Sequence, residues 1–231
     1  MTTAVIAYLA VALAATPAEQ GEAMFKDVEN LARSKQPAQA LAKAEQAVAE
    51  LDKAHAAKER IGRVAMDGLR RASRLAREDF LDHDKAMFFC DRMFRYADSD
   101  YWRTPARLEK AMVYRSMGDF KKAQEQYDAV AAGDKRHRAA GLLPQAEMVF
   151  FDMADRTKGR LLLEAAMADA AVNGRERFAS LRRCAADAMT RGRPGEALAW
   201  YAMLEKLSFE KAQERRSEER RVGKECQSVC R

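Results

Sequence analysis

The feature that most constrains this chain is a regular recurrence of helix-turn-helix patterns. Equivalent positions fall at Ala40, Ala86, Ala123, Arg160 and Ala197, separated by 46, 37, 37 and 37 residues. Four of the five are alanine, and each follows a short polar or glycine-containing stretch. A near-constant step of this length means that one supersecondary unit is reused, because unrelated helices have no reason to keep such a register. Composition agrees. Proline (5) and glycine (11) are scarce in 231 residues, and long stretches run through Ala, Leu, Glu, Lys and Arg. These residues lose little rotamer freedom in a helix. No run of β-branched residues suggests a strand, so an all-α chain is expected.

The clearest unit runs from Leu108 to Tyr127. Ala111 holds a small position on its first helix and Tyr114 an aromatic one three residues later. Gly118-Asp119-Phe120 makes the turn, Ala123 is the small residue of the second helix, and Tyr127 is its aromatic. A second unit spans Leu181 to Leu204, with Ala185, the turn Gly192-Arg193-Pro194-Gly195, Ala197 and Tyr201 in matching places. Two helices 8–10 Å apart need small residues where they cross. Gly118 suits a left-handed helix end, and Pro194 suits a first helical turn.

This pattern resembles the tetratricopeptide repeat over about residues 21–211. The step exceeds the ~34 residues usual for that family, and the unit at Arg160 lacks its alanine. The resemblance implies a right-handed solenoid of about five antiparallel hairpins. Their helices are expected near 21–33/37–54, 58–78/83–97, 104–117/120–132, 141–155/159–173 and 176–191/194–211. The stretch 97–105 is expected as a loop, with Thr104 capping a helix that begins at Pro105. The resemblance also implies a concave face, lined by first helices, that holds a protein or peptide partner. Its offsets place Arg71, Glu78, Arg115, Gln145, Asp152 and Arg182 on that face.

Other chemistry is sparse. There is no phosphate-cradling glycine loop, no nucleophile elbow and no His-Glu-x-x-His. Asp82-His83-Asp84 is the densest set of metal-ligand types, but neighbouring residues on a helix diverge; a turn with an aspartate N-cap fits better. His55 and His137 read as surface positions. The ten residues Phe88, Phe89, Phe94, Tyr96, Tyr101, Trp102, Phe150, Phe151, Trp200 and Tyr201 read mainly as core between hairpins. Cys90 and Cys184 read as small buried hydrophobes. No catalytic residue, cofactor or metal ion is expected, and the chain is not expected to be an enzyme.

The net charge of +6 is spread in both signs along the helices. Over 19–215 there are 36 basic and 32 acidic residues, without the gathered basic face typical of a nucleic-acid binder. No nucleic-acid partner is expected. Residues 4–15 form an uninterrupted apolar run, shorter than the ~20 residues of a membrane span. With Thr16-Pro17-Ala18 they read as a secretory signal over 1–18, which implies a periplasmic or extracellular protein. No Lys or Arg precedes the run, and the competing reading is an uncleaved first helix in a cytoplasmic protein. Residues 216–226 resemble the translation of a sequencing-library adapter, so 216–231 is read as a non-native tail. The alternative to a self-contained scaffold is therefore a repeat region of a larger enzyme or signalling protein, with a further domain beyond Arg215.

Overall fold

The computed structural model describes residues 15–133 and 135–207, without the side chains of 135–137. The apolar run before Ala15, the side chain of His137 and the tail beyond residue 207 lie outside them. All regular structure among the described residues is helical. The helices are α1 (Pro17–Arg33), α2 (Pro37–Ala56), α3 (Arg63–Glu78), α4 (His83–Tyr96), α5 (Asp100–Ser116), α6 (Phe120–Ala131), α7 (Lys135–Glu147), α8 (Arg156–Ala168), α9 (Gly174–Thr190) and α10 (194–207). A π-helical turn, Met148–Asp152, continues α7. The chain divides into two compact units near residue 137.

In the first unit α1 packs along α2, α3 along α4, and α5 along α6. The first helices also touch one another, α1 on α3 and α3 on α5. Ala40, Ala86 and Ala123 are fully buried, as are Ala111 and Tyr127. One continuous core runs from Phe25 and Val28 through Leu51, Met66, Leu69 and Phe89 to Ala106 and Val113. In the second unit Leu143, Phe150, Leu163, Leu181, Cys184, Ala197 and Trp200 form another.

Helix ends follow local chemistry. Asp82, Asp119 and Asp155 each accept a hydrogen bond from the backbone N–H three residues on, satisfying an otherwise orphaned donor. The aspartate of Asp82-His83-Asp84 is thus engaged as a cap. Gly118 and Gly192 take left-handed φ values of 77° and 67°. Each permits the closing bond of a Schellman motif, Asp119 N–H to Tyr114 C=O and Arg193 N–H to Ala188 C=O.

Several expectations need correction. α1 begins at Pro17 rather than 21, because Thr16 and Glu19 form a reciprocal capping box. α3 begins at Arg63 rather than 58. The stretch 97–105 is not a loop: Ser99 opens α5, and Thr104 is a buried residue inside it. Pro105 lies inside the helix past its first turn, so it supplies no N–H to the carbonyl of Tyr101. Trp102, on this helix, is half-buried against the core, in keeping with its place among the core aromatics. The helix expected at 141–155 starts at Lys135, carries Pro144 within it and ends in the π turn. That turn lets the consecutive residues Met148, Val149 and Phe150 all be buried.

The fourth anchor is Gly159, not Arg160. Gly159 is buried against the backbone of Phe150 while Arg160 is exposed. Among the aromatics, Phe88, Phe94, Tyr101 and Tyr201 are 38–49% exposed. Adjacent helical residues diverge by about 100°, so Phe88-Phe89 and Trp200-Tyr201 can each send only one ring fully inward. Cations cover the outer rings: Arg92 lies 5.1 Å over Phe88, and Lys110 5.6 Å over Phe94. His55 is half-buried rather than a surface residue, its ring 5.4 Å from that of Tyr96.

Candidate binding groove

α3 is built to be two-sided. Ala65, Met66, Leu69, Ala72 and Ala76 point into the core, while Arg63, Arg70, Arg71, Arg74 and Glu78 are exposed. Its apolar stripe recurs at helical spacing, and the arginines occupy what is left. Where α3 crosses α1, Gly68 lies under the Phe25 ring; a Cβ there would stand 2.3 Å from Phe25 Cδ1. This close approach sinks the seam between the two helices into a groove of about 480 Å³. Phe25 forms its floor, with Glu29 on the α1 side and Arg70, Arg71, Arg74 and Glu78 on the α3 side.

The guanidinium groups of α3 differ in their partners, and Arg77 is buried beside the groove wall. Arg70 is 3.3 Å from Asp67. Arg77 is 2.8 Å from Glu78. Arg74 reaches back 3.5 Å to Glu109 of α5, a carboxylate only 6% exposed. Burial pushes the Glu109 carboxyl above its ordinary range, and Arg74 and Arg77 pull it back. Arg71 has no hydrogen-bond, ion-pair or ring partner among the described residues. Its charge is therefore available at the groove rim.

Of the six expected partner-binding residues, Arg71 and Glu78 line this groove together. Arg115 is half-buried on α5 and does not line it. Gln145 on α7, Asp152 at the end of the π turn and exposed Arg182 on α9 belong to the second unit. Phe25, Gly68, Arg74 and Glu109 also belong to this site, at positions that repeat spacing alone does not reach. Gly68, an isolated glycine inside a strongly periodic helix, was the available signal for a close approach.

Cys90 and Cys184 are buried free thiols, as expected. Burial pushes each up to about 12. Among the described residues no group of three or more His, Cys, Asp or Glu is placed to hold a metal ion, and no helix is long and apolar enough to cross a membrane. No protein-family profile, curated protein or solved structure matches the chain.

Proposed function

We propose that the chain is a non-enzymatic, tetratricopeptide-like scaffold that holds a peptide segment of a protein partner in the α1/α3 groove. The observation that carries this reading is the unpaired Arg71 guanidinium above the Phe25 floor, on a groove wall where Arg70 and Arg74 each have a carboxylate. An extended segment laid there offers a carboxylate to Arg71 and apolar side chains to the seam, with geometry already formed before binding. The solenoid arrangement is supported in the first unit by α1 packing on α3 and α3 on α5, the contacts that stacked hairpins require.

The test is selection of peptides from a displayed library on the immobilised protein, followed by affinity measurement on R71E and E78K. Peptides held in the groove lose about tenfold or more on R71E, whose helix content stays unchanged, since reversal replaces an attraction by a repulsion. Equal binding to wild type and R71E sinks the groove reading.

We also propose export, on the strength of the apolar run at 4–15. Thr16, Pro17 and Ala18 open α1, and Ala18 N–H donates to Glu59 3.0 Å away, so removal of 1–18 costs α1 its capping box. Mass spectrometry of the protein from a secretion-competent host distinguishes the two locations: an intact Met1 contradicts export.

A further inference from the structure

We infer that α9 carries a second docking seam, whose partner is an acidic amphipathic helix lying along it. The inference rests on reading the chain as a binding scaffold, but not on the α1/α3 groove. α9 buries Ser180, Leu181, Cys184, Ala185 and Ala188. The opposite face presents Arg175, Phe178, Ala179, Arg182, Ala186 and Met189, all exposed, with Phe178 at 39% and Met189 at 55%. Positions 175, 178, 182, 186 and 189 follow one another at intervals of three and four, the spacing of a helix-contacting stripe.

Charge pairing separates this stripe from its surroundings. Arg177 donates to the Met167 carbonyl at 3.0 Å, Arg183 pairs with Glu147 at 3.0 Å, and Asp187 accepts from Arg156. Arg175 and Arg182 have no side-chain hydrogen-bond, ion-pair or ring partner among the described residues. Seven residues apart, they stand about 10 Å from one another along the axis. The face between them carries no carboxylate. Ala179 and Ala186 beside them present no bulk, so a second helix can approach at the 8–10 Å of ordinary helix packing.

The complementary surface is a helix with carboxylates seven residues apart and apolar side chains for Phe178 and Met189. A nucleic acid fits less well. Its affinity is built from many neutralised phosphates, whereas this stripe offers two free cations and is bordered by Glu176 and Asp187.

The probe is a fluorescein-labelled Ala/Leu helix about five turns long, with glutamates paired seven residues apart. Its counterparts are a lysine version and a single-stranded oligouridylate, all followed by anisotropy. The acidic helix is expected to bind the wild type and to lose about tenfold or more on R175E/R182E. The lysine helix is expected to gain on that variant, and F178A to weaken the acidic helix. These positions are exposed, and circular dichroism checks that the variants stay folded. R71E leaves acidic-helix binding unchanged if the α9 seam is the site. Loss on R71E as large as on R175E/R182E overturns this inference while leaving the groove reading intact. So does equal binding to R175E/R182E, absence of binding up to about 1 mM, tighter binding of the oligonucleotide, or self-association of the protein that R175E/R182E abolishes.

Discussion

Gly159 of α8 lies directly on the backbone of Phe150: a Cβ on Gly159 would stand 2.5 Å from Phe150 Cα and 2.6 Å from its nitrogen. This is closer than the alanine crossings elsewhere in the chain allow, and backbone cannot swing aside as a side chain can. G159A must push α8 away from the π turn and disturb the packing of Phe150 with Trp200, whose rings are 6.2 Å apart. Overpacking of this kind costs about 2 kcal/mol. Urea unfolding in a W102F background, where Trp200 is the remaining fluorophore, is expected to show that loss for G159A. A change smaller than about 0.5 kcal/mol contradicts the contact.

That contact also marks where the sequence stopped being legible. Ala40, Ala86, Ala123 and Ala197 are legible from their step because alanine leaves a recognisable gap in an otherwise bulky pattern. At the one unit where the step from Ala123 is 36 residues and not 37, the buried small residue is Gly159 instead of Arg160; a lone glycine reads as readily as a turn signal, and nothing in Met148–Asp152 announces the π turn. The same division runs through the candidate groove. Arg71 and Glu78 lie seven apart on one helix, so periodicity alone puts them on a common face. Phe25, Gly68 and Glu109 come together from three different helices, and only the packing of α1 and α5 on α3 shows it. Carrying offsets from one unit to the next reached Arg115, which does not line the groove.

α1 and α2 end with lysine where α5 and α9 use glycine. Lys35 and Lys58 have φ values of 57° and 59°, and each lets a Schellman bond close, Gln36 N–H to Leu31 C=O and Glu59 N–H to Ala54 C=O. A side chain in the left-handed region costs roughly 1–2 kcal/mol, partly offset by the greater freedom glycine has when unfolded. K35G and K58G are each expected to stabilise the fold by about 0.5–1 kcal/mol, read as a rise in melting temperature. A fall at both positions contradicts the left-handed geometry.

The buried thiols should be silent in the native protein. With Cys90 and Cys184 pushed up to about 12 by burial, the thiolate fraction at neutral pH falls roughly a thousandfold below that of an ordinary cysteine. In a C226S/C230S background, Ellman's reagent is expected to label neither residue until denaturant is added, and then both. Labelling of either at the rate of free cysteine would show its helix to be opening locally.

Asp187 gathers three arginines. It accepts hydrogen bonds from Arg156 of α8 and Arg191, and Arg193 lies 3.5 Å away. The Arg156 bond, aided by Arg191, holds its carboxyl below the ordinary range. Because the folded protein binds this proton less readily than the unfolded chain, whose aspartates titrate near about 3.9, the interaction stabilises fully above that pH. It is lost as pH falls through the lowered folded value. D187N keeps the shape but removes the charge, so it should cost about 2 kcal/mol near neutrality. Below about pH 3 it should cost progressively less, as the wild-type carboxyl is protonated too. Unfolding free energies of both proteins across this range test the assignment. A wild-type advantage that stays constant down to the lowest pH means that Asp187 contributes by packing, not by charge.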